Sequence, residues 1–148
     1  MPFVPDGIVV PTALAEGPFV LEPLGVEHNE ADYDAWTSSL EHIRATPGFE
    51  GGSWPRPMTL EENRRDLQRH ADDFAARAGF TYTVLDAATG EVIGCVYIYP
   101  DREGDADAVV LSWVRASRAE LDGPLHEVVS RWLDAEWPFG RVTYAARG

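Results

Sequence analysis

Residues 80–99 read FTYTVLDAATGEVIGCVYIY, and the reading of this stretch decides the fold. From Phe80 the apolar period is two, with Phe80, Tyr82 and Val84 leading into the turn Asp86-Ala87-Ala88-Thr89-Gly90. Residues 92–99 return as the second arm, so the stretch predicts an antiparallel hairpin. The acidic loop 100–107 follows, and residues 108–114 form a third run rich in branched side chains that continues the meander.

Downstream, Leu121, Leu125, Val128, Val129, Trp132 and Leu133 recur at helical spacing until Trp137-Pro138, and 141–145 reads as a short last strand. A strand, a helix and a strand make a crossover that is almost always right-handed, which makes the two strands parallel. Upstream, Thr59 and Glu62 form a capping box that opens a helix carrying Leu60, Leu67, Ala71, Phe74 and Ala78 on one stripe. Glu61 with Arg65 and Asp73 with Arg77 stand four apart on its outer face, and Gly79 closes it. An earlier helix is marked by Tyr33, Trp36, Leu40 and Ile43, with Asn29 as N-cap and Pro47-Gly48 as stop. The loop 46–57 between these helices sets Phe49 and Trp54 among Gly48, Gly51, Gly52, Pro55 and Pro57. A first strand is expected at 19–24. Pro2, Pro5 and Pro11 predict an extended arm over 1–18, ahead of a single α/β domain over 19–148.

Composition narrows function before any motif does. A chain of 148 residues with 45% hydrophobic content suits one self-sufficient core. It has no apolar run near the ~20 residues of a membrane span, and its first 17 residues lack the pattern of a secretory signal. Cys95 is the only cysteine, so an intrachain disulfide and a multi-cysteine metal site are excluded, and a reducing, cytoplasmic home is expected. The net charge is −13 and all 12 basic residues are arginines, which argues against nucleic acid and anionic lipid as partners. The absence of lysine removes phosphate-binding Walker loops, Schiff bases and Ser-Lys dyads. His126-Glu127 begins like a zinc-protease motif, but Ser130 stands where the second histidine belongs. His28, His42, His70 and His126 show no ligand spacing and read as surface residues, and Cys95 reads as a small core side chain. No metal is expected.

The element order β-α-α-β-β-β-α-β resembles the acyl-CoA-dependent N-acetyltransferase (GNAT) superfamily, from about Phe19 onward. The segments that carry the likeness are Gly94-Cys95-Val96-Tyr97-Ile98, Leu111-Ser112-Trp113-Val114-Arg115 and the helix from Gly123 to Trp137. Relative to that family, the usual C-terminal helix and two further strands are missing. The resemblance implies a mixed sheet in which 108–114 splays from 141–145. Acetyl-CoA would then lie between them, with its pantetheine arm on the backbone near Trp113 and Val114. Its pyrophosphate would sit on the loop opening the next helix, where Arg115, Arg118 and Gly123 are the candidate ligands. The family's Gln/Arg-x-x-Gly-x-Gly/Ala loop is not kept. Counted from Arg115, both glycine positions are Arg118 and Glu120; counted from Arg118, only Gly123 survives. Asp122, with Pro124 in the first turn, reads as a cap that competes with an incoming anion. Pairing of the two arginines with Glu120 and Asp122 is the alternative to phosphate binding.

For the acceptor, the resemblance points to Asp32, Asp34 and Glu41 on the first helix as carboxylates that an amine would welcome. Phe49 and Trp54 would close its pocket, and Tyr144 is a further candidate for a catalytic role. Solvated acidic surface and core aromatics are the competing interpretation of the same residues. Two functions therefore stand open: acetyl transfer from acetyl-CoA to a small amine, or a GNAT-like module without cofactor that acts by binding or assembly, plausibly as a homodimer. An open wedge between the parallel strands favours the first. A side chain filling that wedge favours the second.

Overall fold

The structure, a computed structural model, describes residues 2–147. Six strands form one sheet in sequence order: β1 (Leu14–Glu16), β2 (Phe19–Pro23), β3 (Phe80–Asp86), β4 (Val92–Tyr99), β5 (Ala108–Val114) and β6 (Val142–Tyr144). All neighbours are antiparallel except β5 and β6, which are parallel, as the crossover requires. Between β2 and β3 lie α1 (Asn29–Thr37), α2 (Leu40–Arg44) and α3 (Leu60–Ala75). The crossover helix is α4 (Asp122–Glu136).

Alternation along β4 and β5 divides the core in two. Val96, Ile98, Val110 and Val114 join Leu125, Val129 and Trp132 of α4 in one buried cluster. Cys95 and Trp113 join Ala35, Trp36, Ile43, Phe49 and Leu67 in the other. Gly94 lets β4 and β5 close at the boundary, since a Cβ there would run into the Trp113 carbonyl oxygen. The loop 46–57 is held over the second cluster by the Arg44 Nε bond to the Pro55 carbonyl, 3.1 Å.

Four local expectations are corrected. The proline-rich arm is not free: residues 14–16 add β1 as a hairpin on β2, with Gly17 supplying the positive φ of the two-residue turn. Val4 is buried, Phe3 stacks on Phe80 and Phe139, and the Pro11 carbonyl accepts from the Tyr82 hydroxyl, 2.6 Å. The prolines lack N–H donors, yet their carbonyls still tie the arm down. The first helix is broken at Ser38-Ser39, where Ser39 Oγ accepts the Ala116 amide, 2.8 Å. Asn29 does not cap it but bonds Asn63 and the Leu60 carbonyl. Lastly, α3 ends at Ala75, with Arg77 taking the left-handed position. Arg77 reaches the Pro5 and Ile8 carbonyls, so its pair with Asp73 is not made, and Asp73 accepts from the Tyr99 hydroxyl, 2.9 Å. The Thr59–Glu62 capping box forms in both directions.

Candidate functional site: a strand wedge and an adjoining cavity

The parallel ladder is short. Ala108, Val109 and Val110 pair with Val142, Thr143 and Tyr144, and the pairing stops there, leaving residues 111–114 of β5 without a strand on that side. The wedge contains side chains. Tyr144 lays its ring against His126, 4.1 Å between centroids, and its hydroxyl lies 2.5 Å from Ser112 Oγ. Burial pushes that phenol up to about 12. Arg147 fills the remainder: Nη2 donates to the Ser112 carbonyl at 2.9 Å and Nε to Asp122 Oδ2 at 2.7 Å, with the guanidinium 5.6 Å from the Tyr144 ring centre. Tyr144 is thus a packing and hydrogen-bonding member of the wedge, nearer the α4 side than the acceptor side.

The expected pyrophosphate ligands face elsewhere. Arg115 donates to Asp34 Oδ2 (3.0 Å) and the Val92 carbonyl, and Arg118 donates to Asp86 Oδ2 at 2.7 Å with Glu120 at 3.6 Å. The Arg118 guanidinium and a backbone bond from Ala88 hold the Asp86 carboxyl below the usual carboxylate range. Both arginines are therefore paired, as the alternative reading held, but with Asp34 and Asp86 as principal partners rather than Glu120 and Asp122. Asp122 is not the N-cap of α4; Leu121 is, without a side-chain bond, and the Asp122 carboxylate belongs to Arg147. Gly123 faces open space, since a Cβ there meets nothing within 4 Å. Trp113 and Val114 are buried, with Trp113 Nε1 donating to the Tyr97 hydroxyl at 3.0 Å.

On the other face of the sheet lies a cavity of about 240 Å³ bordered by α1, α3, β4, β5 and the aromatic loop. Its apolar wall is Leu24, Phe49, Trp54, Leu67, Tyr97 and Leu111, and its polar groups are Asp32, Asn63, Asp66, Arg69 and His70. The expected loop aromatics are therefore at the site, and Trp54 packs with Trp36, Phe49, Tyr97 and Trp113.

Among the expected carboxylates only Asp32 is here. It is 4% exposed, and burial pushes its carboxyl up to about 6 against the opposing pull of an Asn63 hydrogen bond and of His28. Asn63 is itself fixed, since its Oδ1 accepts from Trp36 Nε1 at 3.0 Å while its Nδ2 donates to Asn29 Oδ1 and Asp32 Oδ2. Asp34 is exposed and spent on Arg115, and Glu41 sits at the surface beside Arg44. His70, expected at the surface, lines the cavity within hydrogen-bond distance of the Tyr99 hydroxyl (2.9 Å) and Thr81 Oγ1 (3.1 Å); burial lowers its pKa. The other three histidines are half-buried too, and His42 and His126 each have a buried Nε2 without a partner among the described residues.

Asn63, His70, Tyr97 and Arg147 were not foreseen as site residues. A signal existed for two of them: Asn63 and His70 fall on the Leu60–Leu67–Phe74 stripe of α3, where polar residues on an apolar stripe need partners. Among the described residues, no group of three or more histidine, cysteine, aspartate or glutamate side chains is arranged to hold a metal, and no helix is long and apolar enough to cross a membrane.

The sequence matches no family model, and no curated protein matches it. Solved structures do match in fold. A probable acetyltransferase superposes with a TM-score of 0.69 at 15% identity, covering 92% of this chain and 74% of that one. The ribosomal L7/L12 alpha-N-protein acetyltransferase in complex with coenzyme A gives 0.65 at 14% identity, over 82% of this chain and 64% of that one. The ribosomal-protein-S5-alanine acetyltransferase of Vibrio fischeri gives 0.63 at 12% identity, over 82% and 65%. The chain spans less than two thirds of the length of the latter two. At these identities the likeness is one of architecture: the chain has the fold of these acetyltransferases.

Proposed function

We infer that this chain transfers an acetyl group from acetyl-CoA to a small amine held in the Asp32 cavity. The observation that carries the reading is where the parallel ladder ends. Pairing with β6 stops at Val110, and the next residue, Leu111, lines the cavity. A reactant on the free strand edge and a reactant in the cavity would therefore meet at one residue, and catalysis by positioning needs such a meeting.

Acetyl-CoA fits the region in part. The strand edge beyond Val110 suits the amide-bearing pantetheine arm once Arg147 gives up the Ser112 carbonyl. The diphosphate has no prepared cradle: Arg115 and Arg118 are engaged with Asp34 and Asp86, Pro124 lacks an N–H, and Asp122 puts a carboxylate in the first turn of α4. What the chain's own residues supply is the acceptor side. Trp54 and Phe49 line the cavity with aromatic surface, and Asp32 would hold an ammonium group and take its proton.

A second reading is favoured by one observation, the Arg147 guanidinium seated on Ser112 and Asp122. In it the groove is filled by design, and the fold acts as a binding or assembly module without cofactor. β6, a three-residue strand at the sheet edge, would then be open to a second copy. Calorimetric titration with acetyl-CoA, paired with detection of released thiol over a panel of small amines, separates the two. Heat of binding and amine-dependent thiol release support transfer; absence of both at millimolar acetyl-CoA ends it. Light scattering across micromolar concentrations tests the dimer, and a constant monomer mass ends the assembly version.

A further inference from the structure

The free edge of β5 is occupied from within the chain. Arg115 turns its amide to the Ile93 carbonyl of β4, 2.8 Å. Backbone groups of successive strand residues point to opposite sides, so those of Val114 and Ser112 face the wedge. The Ser112 carbonyl is met there by Arg147, whose Nη2 donates to it at 2.9 Å and stands 3.3 Å from Ser112 Oγ. The other guanidinium nitrogens are engaged as well, Nε with Asp122 Oδ2 at 2.7 Å and Nη1 with the Ala145 carbonyl at 2.6 Å. With 9% of its side chain exposed, Arg147 is the most enclosed of the ion-paired arginines among the described residues.

Two features let this contact open. It is made by one side chain, because β6 ends at Tyr144 and the ladder stops at Val110, so no strand has to unpair. It is also held by a carboxylate on a different element, α4, through a charge-assisted bond that a competing group can exchange. The guanidinium N–H stands where the amide N–H of an extended chain would seek the same Ser112 carbonyl. We propose that Arg147 is an autoinhibitory latch: seated on Ser112 and Asp122 it closes the edge of β5, and an extended, amide-bearing chain binds there only by displacing it. This rests on the acyl-transfer reading for the nature of the incoming chain and adds to it a built-in brake on entry. The wedge is then filled reversibly, unlike the groove of a module that has no cofactor.

Pantetheine is the probe, since it carries amides along an extended chain and no phosphate. It is titrated calorimetrically against the native protein, Arg147→Ala and the double variant Asp122→Asn/Arg147→Ala. The single variant leaves the partly buried Asp122 carboxylate without its cation. The double variant removes both charges and keeps the test intact where the single one folds poorly. Loss of a charge-assisted bond of this kind is expected to tighten pantetheine binding by roughly tenfold or more in both variants. Equal affinity in all three proteins, weaker binding in the variants, or no binding by any of them at millimolar pantetheine overturns the proposal. Tighter binding in the variants without amine-dependent thiol release from acetyl-CoA would leave the latch standing and remove the acyl-transfer reading. Thiol release at one common rate in all three, with acetyl-CoA below saturation, would keep that reading and remove the latch.

Discussion

Replacing Asp32 by asparagine removes a charge that the native state holds at a cost, and the cost can be worked from the fold. In the unfolded chain the carboxyl ionises near 3.8, whereas in the cavity it ionises near 6. At ~1.36 kcal/mol per pH unit, the interval amounts to about 3 kcal/mol against folding once both states are ionised. The sign follows from proton uptake. Between pH 3.8 and about 6 the folded state binds more protons than the unfolded one, so native stability falls as pH rises through that window and then levels off. Asp32→Asn keeps the Asn63 hydrogen bond and loses the penalty. It is therefore expected to be more stable than the native protein by about 2–3 kcal/mol at pH 7.5 and no more stable near pH 4. For a chain of this length that corresponds to a rise in Tm of roughly 4–12 °C at neutral pH. Urea unfolding of both proteins from pH 4 to 8 measures it directly. A variant that is equally or less stable at pH 7.5, with the same pH slope as the native protein, refutes the claim that Asp32 is held unpaired and strained by burial.

Other perturbations probe the neighbouring parts. His70, whose pKa burial lowers from 6.5, acts with the opposite sign: the unfolded chain takes up its proton first as pH falls, so His70→Gln should flatten a loss of stability that begins below about pH 6.5 in the same urea series. Thr59→Ala removes the cap that opens α3 and should cost about 1 kcal/mol in chemical denaturation. Gly94→Ala drives a Cβ into the Trp113 carbonyl at the β4–β5 join, so soluble yield and Tm should both collapse. Asp122→Asn frees Arg147 and removes a carboxylate from the start of α4. If acetyl-CoA enters the wedge, its affinity by calorimetry should rise about two- to fivefold, from the ~0.3–1 kcal/mol that such a charge is worth.

The meander, the parallel crossover and both cavity-forming helices were legible because each is a local signal repeated over many residues. The capping box at Thr59–Glu62, the two-residue period from Phe80 and the stripe from Leu121 to Leu133 each specify an element without reference to the rest. What escaped were long-range choices. Nothing near Arg77 says that its guanidinium prefers the Pro5 and Ile8 carbonyls to Asp73, and nothing near Arg118 says that it turns to Asp86 across the sheet. Asp32 and Asp34 are two apart on one helix and looked equivalent, yet a turn of roughly 200° between them sends one into the cavity and the other to the surface. Phe49 and Trp54 were found because aromatic residues in a Gly/Pro loop have few other places to go.

The places where local rules are broken are themselves informative. Across the sheet and α4, most side chains agree with their elements: apolar stripes are buried and the crossover joins parallel strands. Several exceptions border the cavity and the wedge. Asp32 is buried without a counter-ion, Asn63 and His70 interrupt an apolar stripe, the β5–β6 ladder stops after Val110, and Arg147 with Asp122 bridges the gap that remains. Leu111 connects cavity and wedge, with its side chain in the cavity and its backbone just past the last paired residue. A fold shaped only for stability would zip the ladder further and place an apolar residue at position 32. Conflicts of this kind between side chain and element are expected where function, rather than stability, sets the sequence. The buried Asp32 and the polar breaks in the α3 stripe stand in the cavity whether the groove takes a thioester or stays closed by Arg147.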